Sequence, residues 1–282
     1  MSHEDEATSG PEGRWPRWRR RWDASSAALV VRRGAEMELM ARALSFAALS
    51  LLTLLPLVTL VGAVDPHSGL GAGKFLGRVL GLSPSSQERI SELVVNPAQT
   101  LRRTTAFGLA VLAAFGLTFG TALQTGYEKT WNLRAAHWHA LWRHVIWLAL
   151  FVGYLLVAVA ALGHGTTVGE QAVGGTATVA VSLLFFWWSQ RFLLVGRVTW
   201  RALLPGAVAT TLGLVGLRIF SGLVFSPLIA SNAVTYGPVG TILVVQSWLT
   251  GVGFVVYGGA VLGRVLHQRH TAQGRAGDSS RR

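Results

Sequence analysis

Residues 43–64 read ALSFAALSLLTLLPLVTLVGAV, an apolar run of 22 positions without a charged side chain. A helix of about 20 apolar residues crosses the ~30 Å hydrocarbon core of a bilayer. The run is longer than the roughly 7–15 apolar residues of a signal peptide, so we predict a transmembrane helix here. Pro56 predicts a kink in that helix, because proline removes one backbone hydrogen bond and crowds the preceding turn.

The composition of the whole chain agrees with a membrane protein. Hydrophobic residues make up 51% of the 282 residues and charged residues only 13%, whereas about 25% of residues in soluble domains are charged. Too little polar surface is left to cover a water-soluble particle of this size. Cysteine is absent, which excludes a disulfide framework, a Cys-ligated zinc site and a thiol nucleophile.

Five further apolar runs follow the first. The six runs occupy residues 43–64, 105–123, 142–162, 172–191, 203–225 and 239–263, and each is about long enough to span a bilayer. The sequence therefore predicts an all-α polytopic membrane protein with six transmembrane helices and additional short interfacial amphipathic helices.

Positive charge is unequally divided between the two sides of such a bundle. The formal net charge is +12, and 19 of the 25 basic residues lie in the two tails and in the second and fourth connections. By the positive-inside rule both termini are predicted to be cytoplasmic. The preference for Arg over Lys, with many Ala, Gly and Val residues, favours a bacterial source and hence the bacterial plasma membrane.

The predicted transmembrane domain, residues 43–266, lies between two predicted cytoplasmic segments. Residues 1–42 are expected to form a basic tail and an interfacial helix, and residues 267–282 a disordered tail. Residues 65–104 form a long external connection whose apolar spacing predicts two short amphipathic helices on the outer leaflet. A solvated loop and a re-entrant lid over a cavity are the alternatives for this connection.

The N-terminal tail contains GRWPRWRRRW, residues 13–22, with five arginines and three tryptophans. Each basic residue near an anionic leaflet contributes about 1 kcal/mol, and the tryptophans recur at i, i+3 and i+7. We interpret the stretch as an anchor on anionic lipid headgroups rather than on nucleic acid; a disordered tail that enforces topology is the other alternative. The lipid anchor consists of Trp15, Arg17, Trp18, Arg19, Arg20, Arg21 and Trp22.

The apolar region offers few groups for catalysis. Two-metal hydrolysis needs several convergent carboxylates, but residues 43–263 contain only five acids, and none lies within a predicted span. The stretch HWHALWRH has histidines two, five and seven apart, a poor spacing for metal ligands on one helix face. We therefore expect neither an enzyme nor a metal or cofactor site.

One charged residue, Arg218, lies inside a predicted span. A charge there costs at least about 2.5 kcal/mol, which favours a functional role. Its side chain could snorkel to the external surface, pack against a polar partner such as Gln246, or contact an anionic substrate. The candidate substrate pathway comprises Arg218, Gln246, Tyr236 and Pro56.

Two residue patterns bear on helix packing. Gly116 with Gly120, and Gly259 with Gly263, place small residues four apart on one helix face, which suits close contact between helices. Aromatic residues that cluster at predicted span ends, such as Trp147, are expected in the headgroup layer, where amphipathic rings are favoured.

Four blocks of the chain together resemble the YihY/virulence factor BrkB family, over about residues 36–266. They read ALSFAALSLLTLLPL, ALQTGYEKTWNL, TWRALLPGAVA and YGPVGTILVVQSWLTGVGFVVYGGAVLG. The resemblance implies a six-helix inner-membrane protein with cytoplasmic termini, linked to envelope integrity and suspected of lipid or amphiphile transport. The residues that match the family pattern are Ser50, Pro56, Trp131, Trp200, Arg201, Pro205, Gly206, Ala207, Tyr236, Gly237, Gly240, Trp248, Gly259 and Ala260.

Two features limit what the resemblance implies. The family tends to have an acidic residue after the Gly-Ala of the last block, where this chain has Val261, so a mechanism that uses this carboxylate does not carry over. The family's old ribonuclease label has no support in these residues. We therefore predict transport or flipping of a lipid or amphiphile, with a structural or scaffolding role in the envelope as the alternative. A transporter predicts a cavity lined by Arg218, Gln246 or Tyr236, and a scaffold predicts a sealed apolar bundle.

Overall fold

The computed structural model describes residues 38–64, 105–135, 141–163 and 168–279. The lipid anchor and the external connection 65–104 lie outside the described residues. Within the helices, some side chains, including that of Tyr236, are also outside what the structure describes.

Every regular element in the described part of the chain is a helix, and each of the six predicted apolar runs falls on helical residues. Helix α1 continues through Pro56 without ending there. A π-helical turn, Ser221–Phe225, joins the last two helices. The helices are α1 (Leu39–Val64), α2 (Thr105–Thr130), α3 (Leu141–Gly163), α4 (Val168–Leu193), α5 (Trp200–Phe220) and α6 (Ser226–Ser279).

Helix α6 extends beyond the predicted end of the last span. It is helical as far as Ser279, whereas the sequence predicts a disordered tail from residue 267, so the structure corrects this expectation for residues 267–279. No proline interrupts this stretch, and it contains Gln, Arg and Ala, which favour helix. Backbone hydrogen bonding can therefore continue past the apolar segment.

The helices form a closed ring. Successive helices pack against each other, and α6 also packs against α1. Helices α5 and α6 are antiparallel, because Gly206 faces Gly263 and Leu217 faces Gly251. A straight helix would separate residues 217 and 251 by about 50 Å at 1.5 Å per residue, so the chain reverses direction between them.

Three helical segments in the described part of the chain are long and apolar enough to cross a membrane. They are Leu141–Ala158, Trp200–Val224 and Ile242–Arg269, and Leu39–Leu54 is a shorter apolar segment. The Trp200–Val224 segment qualifies although it contains Arg218. Helices α2 and α4 are not among them, because they contain more small and hydroxyl-bearing residues and are therefore less apolar. The count of six spans stays a prediction.

An aromatic cluster packs inside the ring, on the side of the start of α3 and the end of α4. The ring centroids of Phe46 and Phe119 are 5.0 Å apart, and Trp147 stacks on Phe151 at 5.2 Å. Trp147 is only 1% exposed, so its ring packs inside the bundle rather than facing lipid headgroups. Its face of α3 is turned inward, where Nε1 donates a hydrogen bond of 2.7 Å to Ser189 Oγ on α4.

The predicted glycine pairs lie at close helix contacts, as expected. A Cβ atom on Gly263 would lie 2.7 Å from Gly206 Cα, and one on Gly259 would collide with Thr210. Gly116 makes room for Leu148 of α3, and Gly120 makes room for His144 and Trp147 of the same helix. The helix seams α5–α6 and α2–α3 therefore depend on missing side chains.

Candidate functional site

A cavity of about 400 Å³ lies inside the ring. Side chains from all six helices line it, and most of them are apolar. The position agrees with the usual location of ligand sites between the helices of bundles. Representative lining residues, one from each helix in order, are Leu57, Leu123, Leu155, Val179, Val215 and Val252.

The cavity has two different ends. One end is lined by the buried aromatic cluster, near the start of α3 and the end of α4. The other end is lined by Val179 and Arg218, whose side chains are exposed. The cavity therefore reaches the surface of the bundle at the end where Arg218 lies, three residues before the π-helical turn.

Hydroxyl groups provide most of the polar lining. Tyr154 and Ser182 share a hydrogen bond of 3.0 Å across α3 and α4. Thr53 and Thr178 donate to carbonyl oxygens of their own helices at 2.8 Å, a common way to satisfy a hydroxyl group in a helix. None of the described residues that line the cavity is acidic.

The structure separates the four residues of the predicted pathway. Arg218 lines the cavity, and Pro56 lies between two lining residues, Leu54 and Leu57, without being one itself. Gln246 is not among the described lining residues, and the side chain of Tyr236 lies outside the described part of the structure. Sequence reasoning missed the lining hydroxyl groups, although serines and threonines in apolar runs are a visible signal.

A hydrogen bond from Arg218 to Gln246, part of one of the three alternatives for this arginine, is not among the contacts of the described residues. Gln246 Oε1, the atom that would accept from a guanidinium, has no hydrogen-bond partner among the described residues. Helix α5 turns Arg218 toward the cavity together with Thr211, Leu214 and Val215, which follow the spacing of one helix face. Arg218 is therefore a cavity residue that is also exposed at the surface of the bundle.

Arginines cap helix C-termini at the opposite end of the bundle. Arg264 Nη1 donates to Thr130 O at 2.5 Å, and Arg143 Nη2 donates to Phe192 O at 2.5 Å. The last carbonyls of a helix have no partner within it, and cations near them are stabilising. Part of the basic charge therefore holds the fold together. We call this the basic end, which contains Arg134, Arg143, Arg191, Arg197 and Arg264.

A buried carboxylate ties the basic end together. Glu128 on α2 is 3% exposed and forms an ion pair with Arg197, which lies between α4 and α5. Gln124 Nε2 also donates to Glu128 at 2.9 Å, and Arg197 Nη1 donates to Arg134 O at 2.6 Å. Because a buried charge is stable only when it is paired and hydrogen-bonded, this network fixes α2 to the α4–α5 turn.

The same turn contains a strained residue. The amide of Gly196 donates to Arg191 O at 3.0 Å, and that of Val195 donates to Phe192 O at 3.1 Å, which is a Schellman motif at the end of α4. Val195 occupies the left-handed position with φ +56°, where a β-branched residue is a genuine outlier.

These features define the class of protein. A ring of helices, several of them able to cross a membrane by length and composition, encloses an apolar cavity; this is an integral membrane protein. The family model described as "Virulence factor BrkB" matches residues 30–282. The chain therefore belongs to the virulence factor BrkB family. Searches of the curated proteins and of the solved structures gave no match.

Proposed function

We propose that this protein moves or flips an amphiphile, such as a lipid, across the membrane. The observation that carries the proposal is the apolar cavity with Arg218 at its open end. Its volume falls within the ~300–1,000 Å³ of small-molecule sites. An apolar chamber accommodates a hydrocarbon chain, and a cation at the mouth attracts an anionic head.

We further propose a bacterial plasma-membrane protein with six spans and cytoplasmic termini. The distribution of the basic residues supports this orientation. The described turns of the basic end belong to the connections predicted to be cytoplasmic. In this proposal the lipid anchor binds anionic headgroups on the same side, and the protein uses no cofactor and catalyses no reaction.

A scaffolding role in the envelope is the second candidate. The observation that favours it is the aromatic cluster, which is buried and lies at the inner end of the cavity. A static bundle would keep this cluster closed, whereas a transporter must open it.

Reconstituted translocation distinguishes these candidates. Liposomes containing the purified chain and a fluorescent lipid are treated with an impermeant quencher, and the rate at which inner-leaflet lipid becomes accessible is measured. We expect the protein to raise this rate and Arg218→Leu to lower it about tenfold, because hydrogen bonds to charged groups contribute ~1.5–3 kcal/mol.

The matched control is Arg201→Leu, which removes an exposed arginine from the same helix outside the cavity lining. We expect this variant to behave like the wild type. Equal rates in liposomes with and without the protein would remove the transport proposal and leave the scaffold.

A further inference from the structure

Three buried polar atoms on cavity-lining residues have no hydrogen-bond partner within the described structure. They are Ser50 Oγ on α1, Thr211 Oγ1 on α5 and Trp248 Nε1 on α6. Ser50 is 8% exposed and Thr211 is 4% exposed. Leaving a buried polar group without a partner costs free energy, and native structures rarely do so without a reason.

Neighbouring hydroxyl groups on the same helices donate hydrogen bonds to backbone carbonyl oxygens. Thr53, one turn from Ser50, donates to Leu49 O at 2.8 Å. Thr210, next to Thr211, donates to Gly206 O at 2.9 Å. The hydroxyl groups of Ser50 and Thr211 make no such bond to their own helices, and both residues line the cavity.

The register of the helices places Trp248 and Ser50 near the level of Arg218. Leu217 contacts Gly251 across the α5–α6 seam, so Arg218 and Trp248 lie within about one helical turn of the same level. Phe46 contacts Gly253, and Ser50 follows it by one turn on α1. Thr211 lies two turns below Arg218 on the same face of α5.

The hydrogen-bonding groups and the charge of these four residues determine which kind of ligand they can bind. An indole N–H and a guanidinium only donate hydrogen bonds, and a hydroxyl group can also donate. No acidic residue is among the described lining residues. The surrounding lining is apolar, with leucine, valine and phenylalanine side chains. The site therefore offers several donors and one positive charge within an apolar wall.

We propose that Ser50, Thr211, Trp248 and Arg218 form a binding site for the anionic headgroup of an amphiphile. The headgroup is a phosphate or a carboxylate, and the hydrocarbon chain lies along the apolar lining. The inference rests on the proposed function for its physiological meaning, but the site itself is defined by binding.

Binding is measured on the full chain in a neutral detergent by native mass spectrometry. The probes are lysophosphatidic acid, a monoacylglycerol with the same acyl chain, and inorganic phosphate. We expect lysophosphatidic acid to bind at least tenfold more tightly than either other probe, which corresponds to about 1.4 kcal/mol. Equal binding of the two acyl probes would overturn the headgroup site, and phosphate binding as tight as that of lysophosphatidic acid would overturn the role of the chain.

Variants identify the atoms that bind. Ser50→Ala, Thr211→Val and Trp248→Phe are each expected to weaken lysophosphatidic acid about tenfold and to leave monoacylglycerol binding unchanged. Thr211→Ser keeps the hydroxyl group and is expected to bind like the wild type. Thr250→Val is the matched control, since that hydroxyl group is bonded to Gln246 O of its own helix at 2.9 Å and the residue is not among the described lining residues. An equal loss in Thr250→Val, or no loss in Ser50→Ala and Thr211→Val, would contradict the assignment.

The binding site and the transport function can be refuted separately. A chain that selects lysophosphatidic acid but does not accelerate lipid translocation would retain the site and lose the proposed transport function. A chain that accelerates translocation without this selectivity would retain transport and lose the anionic site.

Discussion

The α5–α6 seam gives a sharp test of the packing, through Gly263→Ala. The added Cβ would lie 2.7 Å from Gly206 Cα, about 0.8 Å or more inside the usual 3.5–4.0 Å separation of carbon atoms, and 2.8 Å from Gly206 N. Both atoms belong to the backbone of α5, so the helices must separate. Overpacking of this kind costs about 1–3 kcal/mol.

Gly258→Ala is the matched control on the same helix, because nothing lies within 4 Å of the position that an added Cβ would take there. Both substitutions gain about 0.8–1 kcal/mol of helix propensity, so their difference isolates the clash at about 1–3 kcal/mol. The assay is equilibrium unfolding in mixed micelles with increasing sodium dodecyl sulfate, followed by circular dichroism. Equal stability of the two variants would refute the close seam.

Three further substitutions probe the network at the basic end, the strained turn and the core. Arg197→Gln leaves Glu128 buried without its ion-pair partner and is expected to cost about 3 kcal/mol; the double variant with Glu128→Gln should recover part of the loss in the same unfolding assay, and no recovery would argue against the ion pair. Val195→Asn should raise stability by ~1 kcal/mol, because asparagine tolerates the left-handed region better; an unchanged thermal midpoint would contradict the strain. Trp147→Phe removes the donor to Ser189 Oγ and should lower stability by about 1–3 kcal/mol, whereas an undiminished free energy of unfolding would show that this hydrogen bond contributes nothing.

Much of the architecture could be predicted from the sequence, because hydrophobic length and helix periodicity are local properties. The apolar run over residues 43–64 predicts α1, and the spacing of Gly259 and Gly263 predicts a close helix contact. Family membership also follows from local blocks and is shown by the match over residues 30–282.

The rest depends on which face of each helix turns inward. A tryptophan near the end of a span is expected to face the lipid headgroups, but the position of Trp147 on α3 directs its side chain into the core. The arginine caps join residues far apart in sequence, such as Arg264 and Thr130, and charge counting assigns those arginines to topology alone. Ser50 and Thr211 gain a role only when all six helices are arranged around one cavity.

The most direct test of the central claim, that the cavity is the route of an amphiphile, is to block it. Val215→Trp fills the cavity from α5. The control is Leu212→Trp, which places the same side chain three residues away at a position where the native leucine is 62% exposed. In reconstituted liposomes, Val215→Trp is predicted to reduce lipid translocation to the protein-free rate, while Leu212→Trp keeps the wild-type rate. Wild-type translocation by a correctly folded Val215→Trp variant would contradict the account.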